Sequence, residues 1–404
     1  MISRRRGLAT AAATLLTGAS ATTAAAAPSG TTGPHTDVGS HARLQRDVDA
    51  ILATGATGVL AEVQTAAGRT TARAGRTDRS APSRPVPWDA YYRIGSDTKT
   101  FTAVLLLQLA GEGRLALTDT VERWLPGAVR GEGNDGRRIT VANLLRQTSG
   151  LNDYLAVSPD AADAFTPAGY LRSRFRCMAP EDQLKAALAY PPLWLPRAEH
   201  PERERHFGYS NTNYVVAGLI AEQVTGHSWA QEIHDRIIGP LGLRHTLTPG
   251  TSPYVPAPTA SAYTWFPDAG RPVDTTLAAG GGADGSLIST THDHGVFLRA
   301  LMSGRLLRPA QLAAMKETVA ADDWITAPGV RYGLGIAWRP VAGSRDGIWF
   351  HGGTHLGTVS ESGVTPDGAR AATSATFSLR MDDPAQDAQD AAGRRLTERA
   401  LTGG

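Results

Sequence analysis

Lysine is almost absent from this chain of 404 residues. Of its 40 basic residues only Lys99, Lys185 and Lys316 are lysines, and the others are arginines. Arginine supplies charge but cannot act as a base near neutral pH, because its pKa lies above about 12. A lysine retained in such a chain is a candidate base, and Lys99 stands three residues after Ser96 in the stretch RIGSDTKTF.

Three further absences exclude whole classes of protein. Cys177 is the single cysteine, which rules out an intramolecular disulfide framework and zinc sites built on several cysteines. The basic residues are balanced by 38 acidic ones, and no basic stripe is interleaved with aromatic residues, so we expect no nucleic-acid partner. Beyond the first residues no apolar run reaches the roughly 20 residues that span a bilayer, so we expect no membrane span.

The first residues are typical of a targeting signal. Arg4-Arg5-Arg6 forms a charged region, Leu8 to Ala21 is weakly apolar, and Ala24-Ala25-Ala26 supplies a small-residue cleavage site. Residues 1–26 are therefore predicted to be a signal peptide and the mature protein to be secreted, by either the general or the twin-arginine route. Residues 27–40, rich in Pro, Gly, Ser and Thr, are predicted to be a flexible linker.

The remaining chain divides into an α/β part and a helical part. A hairpin is predicted from Gly58, and near the other end a strand from Ala371 is followed by a helix over 384–401. We therefore expect an α/β domain built from residues 41–134 and 291–404. Between them, 135–290 carries short helices separated by Pro-rich and Gly-rich connections, and is predicted to be a helical insertion domain.

Ser96 and Lys99 precede a long apolar helix, TKTFTAVLLLQLA. Residues three apart share a helix face, so the Lys99 amine can lie against the Ser96 hydroxyl. Burial and the positive end of the helix dipole both lower a lysine pKa, and a neutral amine can take the serine proton. The S-x-x-K pattern is short and also arises by chance, although less often in a chain with three lysines.

A second serine competes for the role of nucleophile. Ser228 in GHSWA resembles a G-x-S-x-G elbow, but that motif needs a strand before the serine. A helix ending at Gly226 precedes it here, so we predict that Ser228 caps the next helix.

Two later stretches supply what acyl transfer also requires. Tyr209 and Asn211, in GYSNTNY, offer a phenol and a carboxamide just before a helix, although such residues often only pack and cap. In IWFHGGT, His351 is expected at the end of a strand, where Gly352 and Gly353 leave room for a substrate. The N–H groups of Ser96 and Thr354 would then form an oxyanion hole.

The two histidines of this last stretch allow one alternative. His351 and His355 have H-x3-H spacing, which also occurs at metal sites. No third ligand is nearby and the glycines disfavour a helix, so we expect no metal.

S-x-x-K, Y-x-N and H-x-G, in this order, resemble the motifs of the serine penicillin-recognising family. The chain looks most like the secreted D-alanyl-D-alanine carboxypeptidase and class C β-lactamase branch, which also includes esterases. Further stretches of the same likeness are YRIGS, LLRQTSGL, ISTT and YGLG.

The resemblance implies a fold and a set of roles. The fold is β-lactamase/transpeptidase-like, α/β plus all-α, with an antiparallel sheet flanked by helices and an inserted helical domain. Ser96 would be the acylated nucleophile, Lys99 its proton acceptor and Tyr209 the proton shuttle to the leaving group. The substrate would be bound by Asn211, His351, Gly353 and Thr354. No cofactor is implied.

The expected activity is that of a D-alanyl-D-alanine carboxypeptidase or transpeptidase that acts on peptidoglycan stem peptides. We expect β-lactams to inhibit the enzyme and the protein to be a monomer. Two departures leave alternatives open. Gly352 stands where the family usually has Thr or Ser, and Ala337 stands where the carboxypeptidases have a carboxylate-binding arginine. Unless Arg331 or Arg339 reaches the site, an esterase, a β-lactamase or a D-amino-acid peptidase becomes more plausible. A binding protein without turnover is the remaining alternative.

Overall fold

The computed structural model describes residues 38–80, 84–267, 269–322, 324–325, 327–342, 344–381 and 384–402. The predicted signal peptide, residues 1–26, and the predicted linker up to residue 37 lie outside this part. The last three residues of the linker prediction are wrong, because the first helix already begins at Val38.

Helices account for much of the middle of the chain. In the described ranges they are α1 (Val38–Leu52), α2 (Thr98–Gly111), α3 (Val121–Trp124), α4 (Val141–Arg146), α5 (Tyr154–Val157), α6 (Pro159–Ala164), α7 (Pro167–Ser173), α8 (Pro180–Leu188), α9 (Asn211–Thr225), α10 (Trp229–Ile233), α11 (Gly239–Leu241), α12 (Thr291–Met302), α13 (Pro309–Met315) and α14 (Pro384–Thr402).

Strands lie mainly at the two ends of the chain. They are β1 (Gly58–Thr65), β2 (Gly68–Gly75), β3 (Tyr92–Arg93), β4 (Arg130–Gly131), β5 (Asn134–Asp135), β6 (Tyr263–Trp265), β7 (Val273–Asp274), β8 (Ile288–Ser289), β9 (Val319–Ala320), β10 (Arg331–Tyr332), β11 (Ala337–Arg339), β12 (Ile348–Phe350), β13 (Gly353–His355), β14 (Thr358–Val364), β15 (Ala371–Thr376) and β16 (Ser378–Arg380).

The main sheet joins the two ends of the chain. Its order is β2-β1-β15-β14-β12-β11-β10-β9, with β13 paired to β14, and its neighbours run antiparallel. In the central pair, Val59 of β1 lies opposite Thr376 of β15. The hairpin predicted from Gly58 and the strand predicted from Ala371 are therefore adjacent, although over 300 residues separate them.

Helices cover both faces of this sheet. α1 and α14 pack together on one face, where Val48, Ile51 and Leu396 are buried against Val59 of β1. α12 packs on β1 and β15. The predicted antiparallel sheet flanked by helices is therefore confirmed.

α2 is the helix that carries the site into the core. Its residues from Thr98 to Leu107 are all buried, so the helix has no solvent-facing side. Phe101 stacks on Phe297 of α12, with ring centroids 3.5 Å apart, while α9 packs against another side of α2. A helix held on all sides places its first turn rigidly, and Ser96 precedes that turn.

The division into two domains stays a prediction. In sequence, helices α4 to α11 do come after the first two strands of the main sheet and before its remaining strands. The same segment also contains β6, which pairs in parallel with β16 near the C-terminal end.

Candidate active site

Ser96 lies in a single 3-10 turn, Gly95–Asp97, that leads directly into α2. Gly95 has a φ of +54°, in the left-handed region that glycine adopts without steric penalty. The Nζ atom of Lys99 lies 3.1 Å from Ser96 Oγ. The spacing of the two residues therefore places their side chains in contact, as predicted.

The partners of the Lys99 amine determine where its lone pair points when it is neutral. Nζ donates to Asn211 Oδ1 at 2.7 Å and to the main-chain oxygen of Asp284 at 2.6 Å, and both oxygens can only accept. A neutral amine has two N–H groups and one lone pair. Since these acceptors use both N–H groups, the lone pair faces Ser96 Oγ.

Burial lowers the pKa of Lys99 to about 8, because loss of hydration disfavours the charged form. The carboxylates of Asp284, Asp153 and Asp97 act against this shift, since each favours the ammonium. At pH 7 about a tenth of the molecules then carry a neutral Lys99. This amine is able to accept the serine proton.

Asp153 orients Asn211 and was missed by the sequence analysis. Asn211 Nδ2 donates to Asp153 Oδ2 at 2.9 Å, which turns Asn211 Oδ1 toward Lys99. The other carboxylate oxygen of Asp153 caps α5 by accepting from Leu155 N at 3.1 Å. An aspartate before a helix is an ordinary cap in sequence, so only the fold reveals its second contact.

Tyr209 lies beside the amine, with Lys99 Nζ 5.1 Å from its ring centroid. Burial raises the pKa of the Tyr209 phenol well above its ordinary value, and a hydrogen bond with Ser96 acts in the opposite direction. A phenol that keeps its proton is suited to donate it. Of the two groups next to Ser96, Lys99 is therefore suited to accept a proton and Tyr209 to donate one.

The backbone of the third motif runs beside the nucleophile. In the β13–β14 hairpin the pair His355↔Thr358 flanks a two-residue turn, so Thr354 falls at the next, non-hydrogen-bonded position. Its N–H is therefore directed away from β14. A Cβ added to Gly95 would lie 2.8 Å from Thr354 N, and one added to Gly353 would lie 2.8 Å from Ser96 N. The segments bearing Ser96 N and Thr354 N are in contact, as a shared oxyanion site requires.

Asp97 ties the nucleophile's turn to this strand. Its buried Oδ1 accepts from Gly352 N at 3.0 Å and from Ser362 Oγ at 2.7 Å. The buried His294 places Nε2 3.5 Å from the same oxygen. Because Asp97 adjoins Ser96, these bonds fix the distance between the nucleophile and the third motif.

His351 is a neutral histidine. Its Nδ1 lies 2.7 Å from Gly352 O, which only accepts, so Nδ1 carries the proton. Its Nε2 accepts from the Tyr332 hydroxyl at 2.8 Å. Burial lowers the pKa of His351 to about 4, although the Asp97 charge opposes the shift. At neutral pH this side chain brings no positive charge to the site.

The residues proposed from the sequence meet in one cavity of about 1280 Å³. Lys99 is buried behind Ser96, and the cavity itself is lined by Ser96, Tyr209, Asn211, His351, Gly353 and Thr354. Trp324, which belongs to no motif, also lines it and stacks on Tyr209 at 5.3 Å between ring centroids. Beyond Trp324 the wall continues to Phe350, with 6.1 Å between the ring centroids.

Neither arginine left open by the sequence takes the place of the missing carboxylate ligand. Arg331 is exposed and donates through Nε to Thr318 Oγ1 at 2.8 Å. Arg339 lies at the far end of the cavity wall, stacked on Phe350 with its Nε 3.2 Å from a carboxylate oxygen of Glu398. Arg331 is therefore engaged with Thr318, and the Arg339 charge is paired with Glu398, although among the described residues no guanidinium nitrogen of Arg339 has a hydrogen-bond partner.

A local contact decides the role of Ser228. Ser228 caps α10 and accepts from Gln231 N at 3.2 Å, which confirms the predicted cap. Throughout the part of the chain that the structure describes, no three His, Cys, Asp or Glu side chains are placed to hold a metal ion. The helices of that part are all too short or too polar to cross a membrane.

The antiparallel sheet and the three motifs around Ser96 together define a serine hydrolase of the β-lactamase and penicillin-binding superfamily. A model of the beta-lactamase family matches residues 44–397, so the chain belongs to that family. The predicted fold class and the predicted family resemblance are thereby confirmed.

Two solved structures resemble this chain over most of its length. A D-stereospecific amidohydrolase from Streptomyces sp. is 37% identical, with a TM-score of 0.74 over 84% of this chain and 94% of that one. The D-amino acid amidase from Ochrobactrum anthropi SV3 also reaches 0.74, over 89% and 97% of the two chains. At 23% identity the amidase shows the shared fold alone.

Curated relatives match less completely. Penicillin-binding protein 4 of Amycolatopsis lactamdurans is 27% identical over 298 residues, which are 69% of this chain and 71% of that protein. Protein flp of Staphylococcus aureus strain MW2 is 33% identical over 155 residues, or 38% of this chain. That match spans only 27% of the length of protein flp.

Proposed function

We propose that this hydrolase cleaves amide or ester bonds of D-amino acid derivatives whose leaving group is uncharged. The observation that carries the proposal is the uncharged wall on the Tyr209 side of Ser96, where His351 is neutral and Trp324 is aromatic. The proposal differs from the carboxypeptidase activity expected from the sequence, which stays an untested prediction.

The proposed reaction begins with a proton transfer. Ser96 Oγ attacks the carbonyl carbon while its proton passes to the lone pair of Lys99. The oxygen of the tetrahedral intermediate accepts hydrogen bonds from Ser96 N and Thr354 N. As the C–N or C–O bond breaks, Tyr209 donates its proton to the leaving atom and leaves the acyl group on Ser96. Water or an amine then releases the acyl group by the reverse transfers.

The leaving group must lie on the Tyr209 side, because Tyr209 is the donor in this scheme. That side is bordered by His351, Trp324 and Phe350. Arg339, stacked on Phe350, already has Glu398 as its ion-pair partner, so a free carboxylate there would lose its hydration and would have to compete with Glu398 for that charge, which is unfavourable. An amide, an ester or an arylamine avoids that penalty and can contact the aromatic rings.

D-stereospecificity is proposed from the relatives. The Streptomyces protein whose name states it is 37% identical and covers most of both chains. Penicillin-binding relatives support the same class of acyl-serine chemistry.

The test compares the 4-nitroanilides of D- and L-phenylalanine, with and without an N-acetyl group, and a peptide ending in D-alanyl-D-alanine. Release of 4-nitroaniline from the D-isomers, absent in Ser96→Ala, supports the proposal. Release of D-alanine from the peptide, without cleavage of any nitroanilide, would instead establish a carboxypeptidase. Intact mass after exposure to benzylpenicillin distinguishes a lasting Ser96 adduct from a β-lactamase, which would hydrolyse the drug.

We also propose that the protein acts outside the cytoplasm. The charged and apolar pattern of residues 1–26 supports export. N-terminal sequencing of the protein from the culture medium tests this, and a chain retained in the cytoplasm with Met1 intact would refute it.

A further inference from the structure

The opposite end of the cavity from Tyr209 is rich in hydrogen-bond donors. It lies next to His355, one residue beyond Thr354 on β13, and its walls include Tyr170, Arg174 and Cys177. Arg93 of β3 lies behind this wall. We call these five residues the donor corner.

Arg93 is buried with an incomplete set of partners. Only 3% of its surface is exposed, and its NH2 atom donates to Pro253 O at 2.8 Å. Its Nε and NH1 atoms are buried and have no hydrogen-bond partner, and the Nε of Arg174 shares this condition. Buried polar groups are nearly always satisfied, so unpartnered donors on two arginines call for an acceptor.

Within the described residues, no carboxylate forms an ion pair with either of these two arginines. Among the salt bridges of the described residues none involves Arg93 or Arg174, and Arg174 instead lies over the ring of Phe175 at 4.9 Å. The positive charge of Arg93 affects a neighbouring side chain. Burial and this charge together lower the pKa of His355 to about 3. Burial raises the pKa of the Cys177 thiol, and the negative charge of Asp284 adds to this effect. The Asp284 carboxylate already has a partner, because its Oδ2 accepts a hydrogen bond from the Tyr154 hydroxyl at 3.0 Å.

A glycine loop packs closely against the donor corner, and both line the same cavity. The loop over Gly280 and Gly281 faces it, and a Cβ added to Gly280 would lie 3.2 Å from His355 Nε2. A Cβ on Gly281 would lie 3.2 Å from Cys177 Sγ. The absence of side chains on these two glycines therefore allows the loop to approach His355 and Cys177 closely, at the edge of the cavity that Arg174 also lines.

The proposed function, on which this inference rests, indicates which part of the substrate lies at the donor corner. Tyr209 and His351 mark the leaving-group side of Ser96. The acyl group must then extend in the other direction along β13, past Thr354 toward His355. A group attached to the α-nitrogen of the acylating D-amino acid would reach the donor corner.

We propose that the donor corner is a subsite for a carboxylate carried on the acyl part of the substrate, which Arg174 contacts and which the buried charge of Arg93 behind the wall stabilises. The preferred substrates are thus D-amino acid amides or esters whose α-nitrogen bears an acidic acyl or peptidyl group. Arginine suits this task because its planar fork binds a carboxylate through two parallel bonds.

The test compares N-succinyl- and N-acetyl-D-phenylalanine 4-nitroanilide. We expect wild-type kcat/KM to be about tenfold or more higher for the succinyl substrate, as a charge-assisted hydrogen bond implies. Arg174→Gln should reduce that ratio to near one. The matched control is Arg172→Gln, two residues earlier at the end of α7, which removes an exposed charge that is paired with Asp163 at the rim of the same cavity and should leave the ratio unchanged.

Binding separates this inference from the proposed function. Calorimetric titration of Ser96→Ala with N-succinyl- and N-acetyl-D-phenylalaninamide measures the preference without turnover. Tighter binding of the succinyl ligand, lost in Ser96→Ala/Arg174→Gln, supports the subsite even if neither nitroanilide is cleaved. Equal binding and equal kcat/KM would overturn the subsite while leaving the hydrolase proposal intact. If Arg172→Gln reduced the preference as much as Arg174→Gln, the preference would come from the overall positive electrostatic potential of the cavity. That result would also overturn the subsite.

Discussion

Replacing Lys99 by arginine keeps a positive charge beside Ser96 but removes the base. The wild-type amine is fully buried, and its pKa is lowered to about 8 because burial disfavours the ammonium. Activity requires the neutral form, so kcat/KM should rise about tenfold per pH unit below pH 8 and level off above it. An arginine at this position would be neutral in fewer than about one molecule in ten thousand at pH 8.

The expected loss follows from that difference. A positioned general base contributes about 10²–10⁴ to a rate, so Lys99→Arg should lower the acylation rate at least about 100-fold at pH 9, where most Lys99 is neutral. The loss should become smaller toward pH 6, where only about one molecule in a hundred carries the neutral amine. The longer side chain must also fit a site whose three acceptors lie 2.6 to 3.1 Å from Nζ. Overpacking of this kind costs about 1–3 kcal/mol of stability, so the thermal midpoint of the variant has to be measured as well.

The assay is the pre-steady-state burst with an activated D-phenylalanine ester, followed across this pH range. Lys185→Arg is the matched control, since it makes the same change at an exposed lysine and should keep the wild-type profile. A folded Lys99→Arg protein that acylates at the wild-type rate, with the same midpoint near pH 8, would refute the assignment of Lys99 as base.

Three further predictions concern the third motif. Gly353→Ala should abolish acylation, because the added methyl would collide with Ile94 O; a wild-type burst would contradict this. Tyr332→Phe removes the donor to His351 Nε2 and should slow acylation about tenfold, whereas an unchanged burst rate would show that the bond does not matter. His351 has a folded pKa of about 4, below its unfolded value near 6.5, so its contribution to stability is complete above pH 6.5 and is lost as pH falls toward 4. That contribution is about 3 kcal/mol, and urea unfolding of wild type and His351→Asn between pH 7 and 4 should show a flatter curve for the variant.

The local features of the fold could be predicted from sequence because local chemistry determines them. Gly226 ends α9 in a left-handed conformation, at the position where the sequence indicated a helix end. Thr140 starts α4 with a capping box, which also depends only on residues three apart. The first helix was placed three residues late, since nothing in the sequence marks Val38 as its start. The strands at the two ends of the chain indicated a single α/β unit, but the pairing of β1 with β15 and its register are visible only in the structure.

In the candidate site, too, the residues linked by local sequence patterns were predicted and those brought in by the fold were not. Ser96 and Lys99 were found because helix periodicity places them together, whereas Trp324 was missed because no periodic pattern leads to it. Asp153 and Tyr332 were missed for another reason: each acts by orienting a residue far away in the chain, Asn211 or His351.

The sequence by itself determined the order of the motifs and the family, and it predicted which serine is the nucleophile and which lysine its base. These depend on residue types at short spacings, which a chain carries before it folds. Only the tertiary structure decided that Lys99 has a depressed pKa, that His351 is neutral and that Arg339 is paired elsewhere. Burial and the hydrogen-bond partners supplied by distant segments set the protonation state and the orientation of these side chains. Both burial and partners exist only once the chain is folded.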